Sequence, residues 1–149
     1  MSVTLRIAGT GDADRHVQMI ETAREEAGAP FDAETLRPAL LPLLDGTMPF
    51  GTVYLVGPPR SPVGFILLGF GYELAAGGIT ARIEEIYIRA AVRGRGMGGE
   101  AISALMRGLD GHGVVELRVM TQGAGTPIGR ICTRLRFVEA SRPYLSRAI

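Results

Sequence analysis

The hydrophobic positions of this chain follow two different spacings, and the changes between them mark its secondary structure. Apolar residues at every second position predict strands, and apolar residues three and four apart predict helices. The segments with strand spacing or a short apolar run are 3–7, 51–57, 63–72, 81–88 and 114–120. Strand hairpins followed by a strand–helix–strand unit predict an α/β (α+β) fold with a mixed, mostly antiparallel sheet of six to seven strands and helices on both faces.

Helical spacing first appears between the first two predicted strands. Val17, Ile20 and Ala23 lie on one face of a helix that Thr10 or Asp12 can cap. A second helix is predicted after this one, where leucines recur at helical spacing up to residue 44. Two helices are therefore expected before the second strand.

The second predicted helix begins after Asp32, which is a candidate N-cap. Pro38 and Pro42 lie inside it, and proline removes a backbone hydrogen bond from a helix interior. We therefore expect a kink or two short helices here.

The C-terminal half repeats the strand–helix order. A glycine-rich turn leads into a helix with an apolar stripe over 101–109, and Pro127 can begin a short last helix. The segment from Phe137 onward is interpreted as a closing hairpin or final strands. Because no repeat, linker or low-complexity tract interrupts the pattern, we expect a single domain over residues 1–149.

Composition and charge narrow the classes of ligand. The net charge of +1 gives no general reason to bind nucleic acid. Residues 80–149 nevertheless hold 11 Arg against 6 Asp and Glu, whereas residues 1–79 hold 5 Arg against 9. The C-terminal half therefore favours an anionic ligand. The chain has no lysine, which excludes a Schiff-base lysine or a P-loop lysine.

The ends and apolar runs of the chain bear on its location. The N-terminus lacks the basic-then-apolar order of a signal peptide, and no apolar run reaches the length of a membrane span. Cys132 is the single cysteine, so no intrachain disulfide is expected. We expect a cytoplasmic protein with no membrane or nucleic-acid partner.

The segment richest in candidate chemistry is IEEIYIRAAVRGRGMGGEAISALM, residues 83–106. A short apolar strand with two carboxylates is followed by the turn Arg93-Gly94-Arg95-Gly96-Met97-Gly98-Gly99 and then by a helix. Glycines let the backbone approach a ligand closely, and the first N–H groups of a helix have no partner within it. A turn of this kind can hold a phosphate group through backbone amides.

Two other interpretations of this turn are open. The string from Gly94 to Gly99 satisfies the G-x-G-x-x-G pattern of dinucleotide-binding folds. Those folds place the pattern near the start of a βαβ unit and end the next strand with an acid, whereas here the next strand ends Arg118-Val119-Met120. The turn can also be an ordinary glycine-rich loop with a solvated pair of arginines.

The same segment resembles the central motif of the GCN5-related N-acetyltransferase (GNAT) family. The family pattern is a strand that ends in a small aliphatic residue, a gap of four residues, and Arg/Gln-x-x-Gly-x-Gly/Ala at the start of a helix. Ile88 ends the strand here, residues 89–92 fill the gap, and the string from Arg93 to Gly98 fits throughout. The element order agrees along essentially the whole chain, so the resemblance implies the GNAT acyl-CoA N-acyltransferase fold.

The resemblance also implies a cosubstrate, acetyl-CoA, with no metal. Its pyrophosphate is expected on the backbone amides of 95–99, and its pantetheine arm beside the strand at 86–88. The expected cofactor-binding residues are Ile86, Tyr87, Ile88, Arg93, Gly94, Arg95, Gly96, Met97, Gly98 and Gly99.

Glu84 and Glu85 are the carboxylates of the strand that precedes the turn. Strict alternation places them on opposite faces of the sheet. The resemblance assigns Glu84 the role of accepting the proton of the attacking amine, and Glu85 the binding of a cationic substrate. The alternative is that one or both are solvated or paired with Arg82 or Arg89.

The chain departs from the family pattern at the residue that usually protonates the departing sulfur. That residue is the Tyr of Tyr-x-x-x-Gly-Phe, and the matching segment here is Cys132-Thr133-Arg134-Leu135-Arg136-Phe137. Cys132 therefore stands at the Tyr position. Cys132, Tyr144 or Tyr87 can serve as the acid, or the thiolate can leave directly. A lone cysteine on a helix is also typical of core packing.

The two histidines give no metal site. His16 and His112 are not spaced as ligands, and no cluster of carboxylates accompanies them. We expect His16, on the first helix, to be solvated.

These observations favour an N-acetyltransferase that moves an acetyl group from acetyl-CoA to a primary amine of a small molecule or peptide. Substrate residues are expected on the first two helices and in the loop around 70–78. Members of the family that the chain resembles are often dimers, so the resemblance is compatible with a homodimer, although no self-complementary surface can be recognised in the sequence. The alternative is a non-catalytic sensor or regulatory module that binds CoA or acetyl-CoA.

Overall fold

The computed structural model describes residues 3–121, 123–140 and 145–149. Its strands are β1 (Leu5–Ile7), β2 (Gly51–Val56), β3 (Gly64–Glu73), β4 (Gly78–Ile88) and β5 (Val114–Val119). Its helices are α1 (Ala13–Ala27), α2 (Ala33–Leu44), α3 (Met97–Leu109) and α4 (Pro127–Arg134). Short 3₁₀ turns at Thr10–Asp12 and Ala90–Val92 precede α1 and the glycine-rich turn.

The five strands form one mixed sheet in the order β1-β2-β3-β4-β5. Neighbours pair antiparallel except for β4 and β5, which are parallel and are joined through α3. The sequence predicted six to seven strands, and the described residues supply five. The predicted final strand does not form over 137–140 or 145–149, and residues 141–144 lie outside the described part of the chain.

Side chains on the two faces of the sheet form two separate apolar cores. On the α1–α2 face, Val53, Leu55 and Phe65 pack under residues of α1 and α2 such as Met19 and Leu40. The opposite face, the α3–α4 face, is packed with a second set of buried residues, which includes Ile66, Leu68, Ile83, Ile102, Leu105 and Cys132. A sheet covered on both sides needs apolar residues at nearly every position, which explains the apolar run FILL at the start of β3.

The caps of α1 and α2 act in different ways. The Asp32 carboxylate accepts a hydrogen bond from the Glu34 amide at 3.0 Å, as an N-cap does. Asp12 occupies the N-cap position of α1 but turns its carboxylate back to the Gly9 amide (2.9 Å) and to the guanidinium of Arg6 (2.9 and 3.0 Å). The Arg6 hydrogen bonds hold the pKa of Asp12 at about 2.

The second predicted helix is not divided into two short helices. Pro38 and Pro42 lie within one continuous helix, α2. They are four residues apart, so the two missing N–H donors lie on the same side of the helix. Leu40 and Leu44, both buried, hold the helix against the sheet, and this tertiary packing outweighs the local cost of the prolines.

Candidate functional site

The sheet opens between its two parallel strands. The β4–β5 pairing covers Ile79 to Ile83 on β4, and the last hydrogen bond runs from the Met120 amide to the Ile83 carbonyl at 3.3 Å. Beyond that point, residues 85–88 of β4 pair with β3 alone among the described residues. One backbone edge of this half of β4 is therefore available to a ligand that can pair with it like a strand.

The glycine-rich turn stands at the end of that open edge. Gly94 and Gly96 both have φ of +77°, a left-handed conformation that favours glycine, and α3 begins directly after Gly96. Within the described residues, the backbone amides of 94–99 donate no hydrogen bond. These free donors at a helix N-terminus are suited to an anion.

The two arginines of the turn differ. Arg93 Nε donates to the Ile88 carbonyl at 2.7 Å, and Arg93 Nη2 pairs with Glu26 Oε2 of α1 at 2.6 Å. Its guanidinium also lies 5.4 Å from the centre of the Tyr87 ring. Arg93 thus fastens the turn to β4 and α1. Arg95 is exposed and forms no ion pair among the described residues, so its charge faces solvent.

Tyr87 is a core residue rather than a free side chain of the cleft. It is 6% exposed and its ring lies 5.9 Å from that of Phe65. Burial raises the pKa of its hydroxyl, and the Glu26 carboxylate adds to the increase. The Tyr87 hydroxyl therefore keeps its proton at neutral pH.

A β-bulge brings the two strand carboxylates to the same face of the sheet. Leu67 pairs with Glu85 and Leu68 pairs with Ile83, so Glu84 is the extra residue. The prediction that Glu84 and Glu85 point to opposite faces is therefore wrong, because it assumed unbroken alternation. Both carboxylates lie on the α1–α2 face.

Glu84 lies over β3 beside an arginine of its own strand. Arg82 Nε donates to Glu84 Oε1 at 2.6 Å. The side chain of Glu84 is 34% exposed and that of Arg82 is 51% exposed. A Cβ added to Gly69, which pairs with Arg82 across the strands, would come within 3.0 Å of Glu84 Oε1. The carboxylate therefore occupies the space above a residue without a side chain.

Glu85 is held by a residue of α1 that sequence reasoning missed. Arg24 donates through both terminal nitrogens, Nη1 to Glu85 Oε2 at 3.0 Å and Nη2 to Glu85 Oε1 at 2.5 Å. The two side chains are 29% and 25% exposed, so the pair is partly shielded from water. Nothing in the local sequence could reveal this pair, because 61 residues separate its members.

A surface pocket of about 320 Å³ lies between α1 and α2, next to this ion pair. Its lining is apolar with a few polar groups: Ile20, Arg24, Pro30, Phe31, Asp32, Thr35 and Leu36. Arg24 connects the pocket to Glu85. The first two helices therefore enclose a space that a small molecule could enter, and their role in binding the substrate stays a prediction.

His16 is buried, which makes the prediction of a solvated side chain wrong. Its exposed fraction is 0%, its ring lies 4.5 Å from that of Phe65, and neither ring nitrogen has a partner among the described residues. Burial lowers the pKa of His16 to about 4, against the opposing influence of the Glu85 and Asp12 carboxylates. His16 is therefore neutral at pH 7.

The candidates for the acid that protonates the leaving group lie in different surroundings. Cys132 is 6% exposed and packs in the core of the α3–α4 face, where burial raises the pKa of its thiol. This position is typical of a packing residue. Tyr144 lies outside the described residues.

Metal ligands and membrane-spanning helices are the remaining features of interest. Among the described residues, no group of three or more His, Cys, Asp or Glu side chains could hold a metal ion. None of the helices in the same part of the chain is both long enough and apolar enough to cross a bilayer.

Comparison with known proteins identifies the family. The model of the acetyltransferase (GNAT) family matches residues 18–126, a span that contains both strand carboxylates and the whole glycine-rich turn. The chain belongs to this family, and the resemblance of its central motif is confirmed. Among curated protein sequences, no significant match is found.

Solved structures share the fold over nearly the entire chain. An integron cassette protein from the mobile metagenome of Cole Harbour Salt Marsh is 27% identical, with a TM-score of 0.82, over 97% of this chain and 90% of that chain. A possible acetyltransferase from Clostridium difficile 630 is 16% identical, with a TM-score of 0.84, over 100% and 99%. A predicted acetyltransferase from Clostridium acetobutylicum, solved with acetyl-CoA, is 12% identical, with a TM-score of 0.77, over 97% and 96%. The predicted GNAT fold is therefore confirmed.

Proposed function

We propose that this protein transfers an acetyl group from acetyl-CoA to a primary amine of a small molecule or peptide. The observation that carries the proposal is the junction of a strand edge, 85–88, with a turn whose backbone amides, like that edge, have no partner among the described residues. An extended amide-containing arm ending in a diphosphate matches these two features together. A dinucleotide would use the turn but would leave the open edge unexplained.

The chain has a suitable group for each end of the cosubstrate. The amides of 94–99 would hold the diphosphate, helped by the positive end of α3. The outer edge of β4 at Ile86, Tyr87 and Ile88 would hold the pantetheine arm through its backbone groups. Arg93 supports this arrangement indirectly, because its guanidinium holds the turn against α1 and the end of β4. When bound, acetyl-CoA supplies an activated acyl group that an amine can attack.

Glu84 is the group we assign as general base. A primary amine must lose a proton to attack a carbonyl carbon, and a carboxylate beside the cleft can accept that proton directly or through water. Glu84 is more exposed than Glu85 and lies where β4 and β5 separate. Both oxygens of Glu85 accept from Arg24, so we assign Glu85 to holding α1 against the sheet.

The CoA sulfur leaves either as a thiol, after it accepts a proton, or directly as a thiolate. The burial of Cys132 in the core of the α3–α4 face argues against it as the donor. We therefore propose Tyr144 or solvent as the proton donor. Replacing Tyr144 with Phe separates these two cases, because only a tyrosine acid would make kcat depend on that hydroxyl.

The acceptor is proposed to be a cationic amine with an apolar part. The pocket between α1 and α2 offers apolar walls, with Arg24 and Asp32 as its charged groups. A ligand that enters there comes close to the face of the sheet that carries Glu84 and Glu85. The amine end is proposed to point to Glu84.

A second function, a CoA-binding sensor without catalysis, has one observation in its favour. Each strand carboxylate is paired with an arginine, Glu84 with Arg82 and Glu85 with Arg24. A sensor would bind acetyl-CoA and release no thiol with any amine.

The first prediction concerns Glu84→Gln. We expect kcat to fall by about 10²-fold at neutral pH, because the base is removed, while the Kd for acetyl-CoA changes little. Thiol release with a panel of amines measures kcat, and isothermal titration with acetyl-CoA, CoA and NAD measures binding. Unchanged kcat in Glu84→Gln would remove Glu84 from the mechanism. NAD binding without CoA binding would contradict the proposed function itself.

A further inference from the structure

β3 contains a glycine that its own backbone does not require. Gly69 lies inside the strand with an ordinary extended conformation, outside the left-handed region that favours glycine. A glycine within a strand interior weakens the strand, because it loses more conformational freedom and contributes no side-chain packing. The cost suggests that the space above Gly69 has a use.

That space is filled by the carboxylate of Glu84. The three nearest atoms to a Cβ built at Gly69 are all from Glu84: Oε1 at 3.0 Å, Cγ at 3.6 Å and Cδ at 3.8 Å. The closest of them, Oε1, is the oxygen that accepts the hydrogen bond from Arg82 Nε at 2.6 Å. Arg82 is also the residue that pairs with Gly69 across the two strands.

The bulge and the glycine form one arrangement. The bulge at Glu84 adds a residue to β4 and turns its side chain toward the α1–α2 face. The missing side chain at Gly69 then lets the carboxylate lie across the neighbouring strand beside Arg82. A methyl group at position 69 would crowd Oε1 of Glu84. Because the Glu84 side chain is long and flexible, it would move its carboxylate away from Arg82 to relieve the crowding.

We propose that Gly69 is a positioning residue for the acetyl transfer: it holds the general base in place by leaving room for it. This inference rests on the proposed function for the role of Glu84, but the geometry that it concerns can be tested without activity. Gly69 touches no substrate in this scheme and acts through Glu84 alone.

Gly71 provides a matched control. The structure narrows the loop expected around 70–78 to the turn 74–77, because residues up to Glu73 belong to β3. Gly71 lies inside the strand, two residues along from Gly69, on the same side of the sheet and also with an ordinary extended backbone. A Cβ there would meet only Thr80 Oγ1, at 3.2 Å, and would not touch Glu84. Gly69→Ala and Gly71→Ala therefore make the same chemical change in the same strand, but only one of them crowds the base.

The second prediction is that Gly69→Ala lowers kcat by about tenfold or more, because catalysis is sensitive to small displacements of a reacting group. Gly71→Ala should leave kcat within about twofold of the wild-type value, and both variants should bind acetyl-CoA with unchanged Kd. In a Glu84→Gln background, Gly69→Ala should have no further effect, since the group it acts through is already lost. Of the two single variants, only Gly69→Ala should change the shape of the pH–rate profile.

Crystal structures of both variants supply a readout that needs no turnover. The Arg82 Nε–Glu84 Oε1 contact should be broken or lengthened in Gly69→Ala and kept in Gly71→Ala. The inference is overturned if that contact survives in Gly69→Ala, if the two variants lose activity equally, or if Gly69→Ala still lowers kcat in the Glu84→Gln background. A wild-type protein that turns over no amine would contradict the proposed function instead, and the structural comparison would still decide the role of Gly69.

Discussion

At the scale of single residues, the chain contains a buried titratable group without a hydrogen-bond partner. His16 is fully buried next to Phe65, and both of its ring nitrogens lack partners among the described residues. Leaving polar atoms unsatisfied in a core is costly. The cost grows when the ring gains a proton, because an imidazolium loses more on leaving water than neutral imidazole does.

The third prediction follows from His16. Its pKa is about 4 in the folded protein and 6.5 for an unperturbed histidine, so the unfolded chain binds more protons between these values. Stability is therefore full above pH 6.5 and falls as the pH drops toward 4, by about 2 kcal/mol between pH 7 and pH 5. His16→Leu should remove this part of the pH dependence in urea unfolding, and His112→Leu, at an exposed turn, should keep it. An equal slope in His16→Leu and wild type would contradict the assignment.

The residue scale also separates what sequence could predict from what it could not. The string from Arg93 to Gly98 predicted the turn and the family, because its closely spaced glycines leave a direct mark on the sequence. The structure adds the reason for two of them, since Gly94 and Gly96 have left-handed φ. The burial of His16 left no such mark, since a histidine on an amphipathic helix can lie on either side of the apolar boundary. The partner of Glu85 was equally hidden, because only the packing of α1 brings Arg24 to it.

At the scale of elements, strands and helices were placed well and their irregularities were not. Periodicity predicted all five observed strands and α1 to α3, and Pro127 predicted the start of α4. The bulge in β4 was missed because the prediction extended a period of two through Ile-Glu-Glu-Ile without a break. The two prolines of α2 led to the opposite error, because an irregularity was predicted where the helix is continuous. A local rule allowed two short helices, whereas packing on the sheet holds one.

The fourth prediction concerns the two ends of α3. Gly108 lies in the last turn of the helix, without a left-handed φ, and a Cβ there would meet nothing within 4 Å, so Gly108→Ala should stabilise the protein by about 0.4–1 kcal/mol. Gly96 precedes the helix with φ of +77°, where an added side chain is strained, so Gly96→Ala should destabilise it by about 1–2 kcal/mol. Chemical denaturation measures both values. Equal effects would show that the turn can adopt another conformation.

At the scale of the whole molecule, two apolar cores are separated by the sheet, and charged pairs join α1 to the strand that carries the site. Arg24 pairs with Glu85, and Glu26 pairs with Arg93 at the start of the glycine-rich turn. Both pairs come from the last part of α1. The position of α1 is therefore coupled to β4 and to the turn, the two elements proposed to hold acetyl-CoA.

The fifth prediction tests that coupling through Arg24 and Glu85. Removing either partner, as Arg24→Met or Glu85→Gln, should lower the free energy of unfolding by about 1–3 kcal/mol, because the other is left partly buried without its partner. The double variant should lose less than the sum of the two single effects. Additive losses would indicate that the pair contributes nothing. If Glu85→Gln lowered kcat strongly with unchanged stability while Glu84→Gln kept kcat, the division of roles between the acids would be reversed.

The bulge in β4 reverses the relation between residue number and sheet face along the strand. Before it, even-numbered residues such as Arg82 face α1 and α2; after it, odd-numbered residues such as Tyr87 do. Deleting Glu84 would restore the regular period, and Ile83, Ile86 and Tyr87 would each keep their present face. The proposed base is thus equivalent to one carboxylate inserted into a complete strand. Deleting it would leave the core-facing side chains of β4 on the faces that they occupy now.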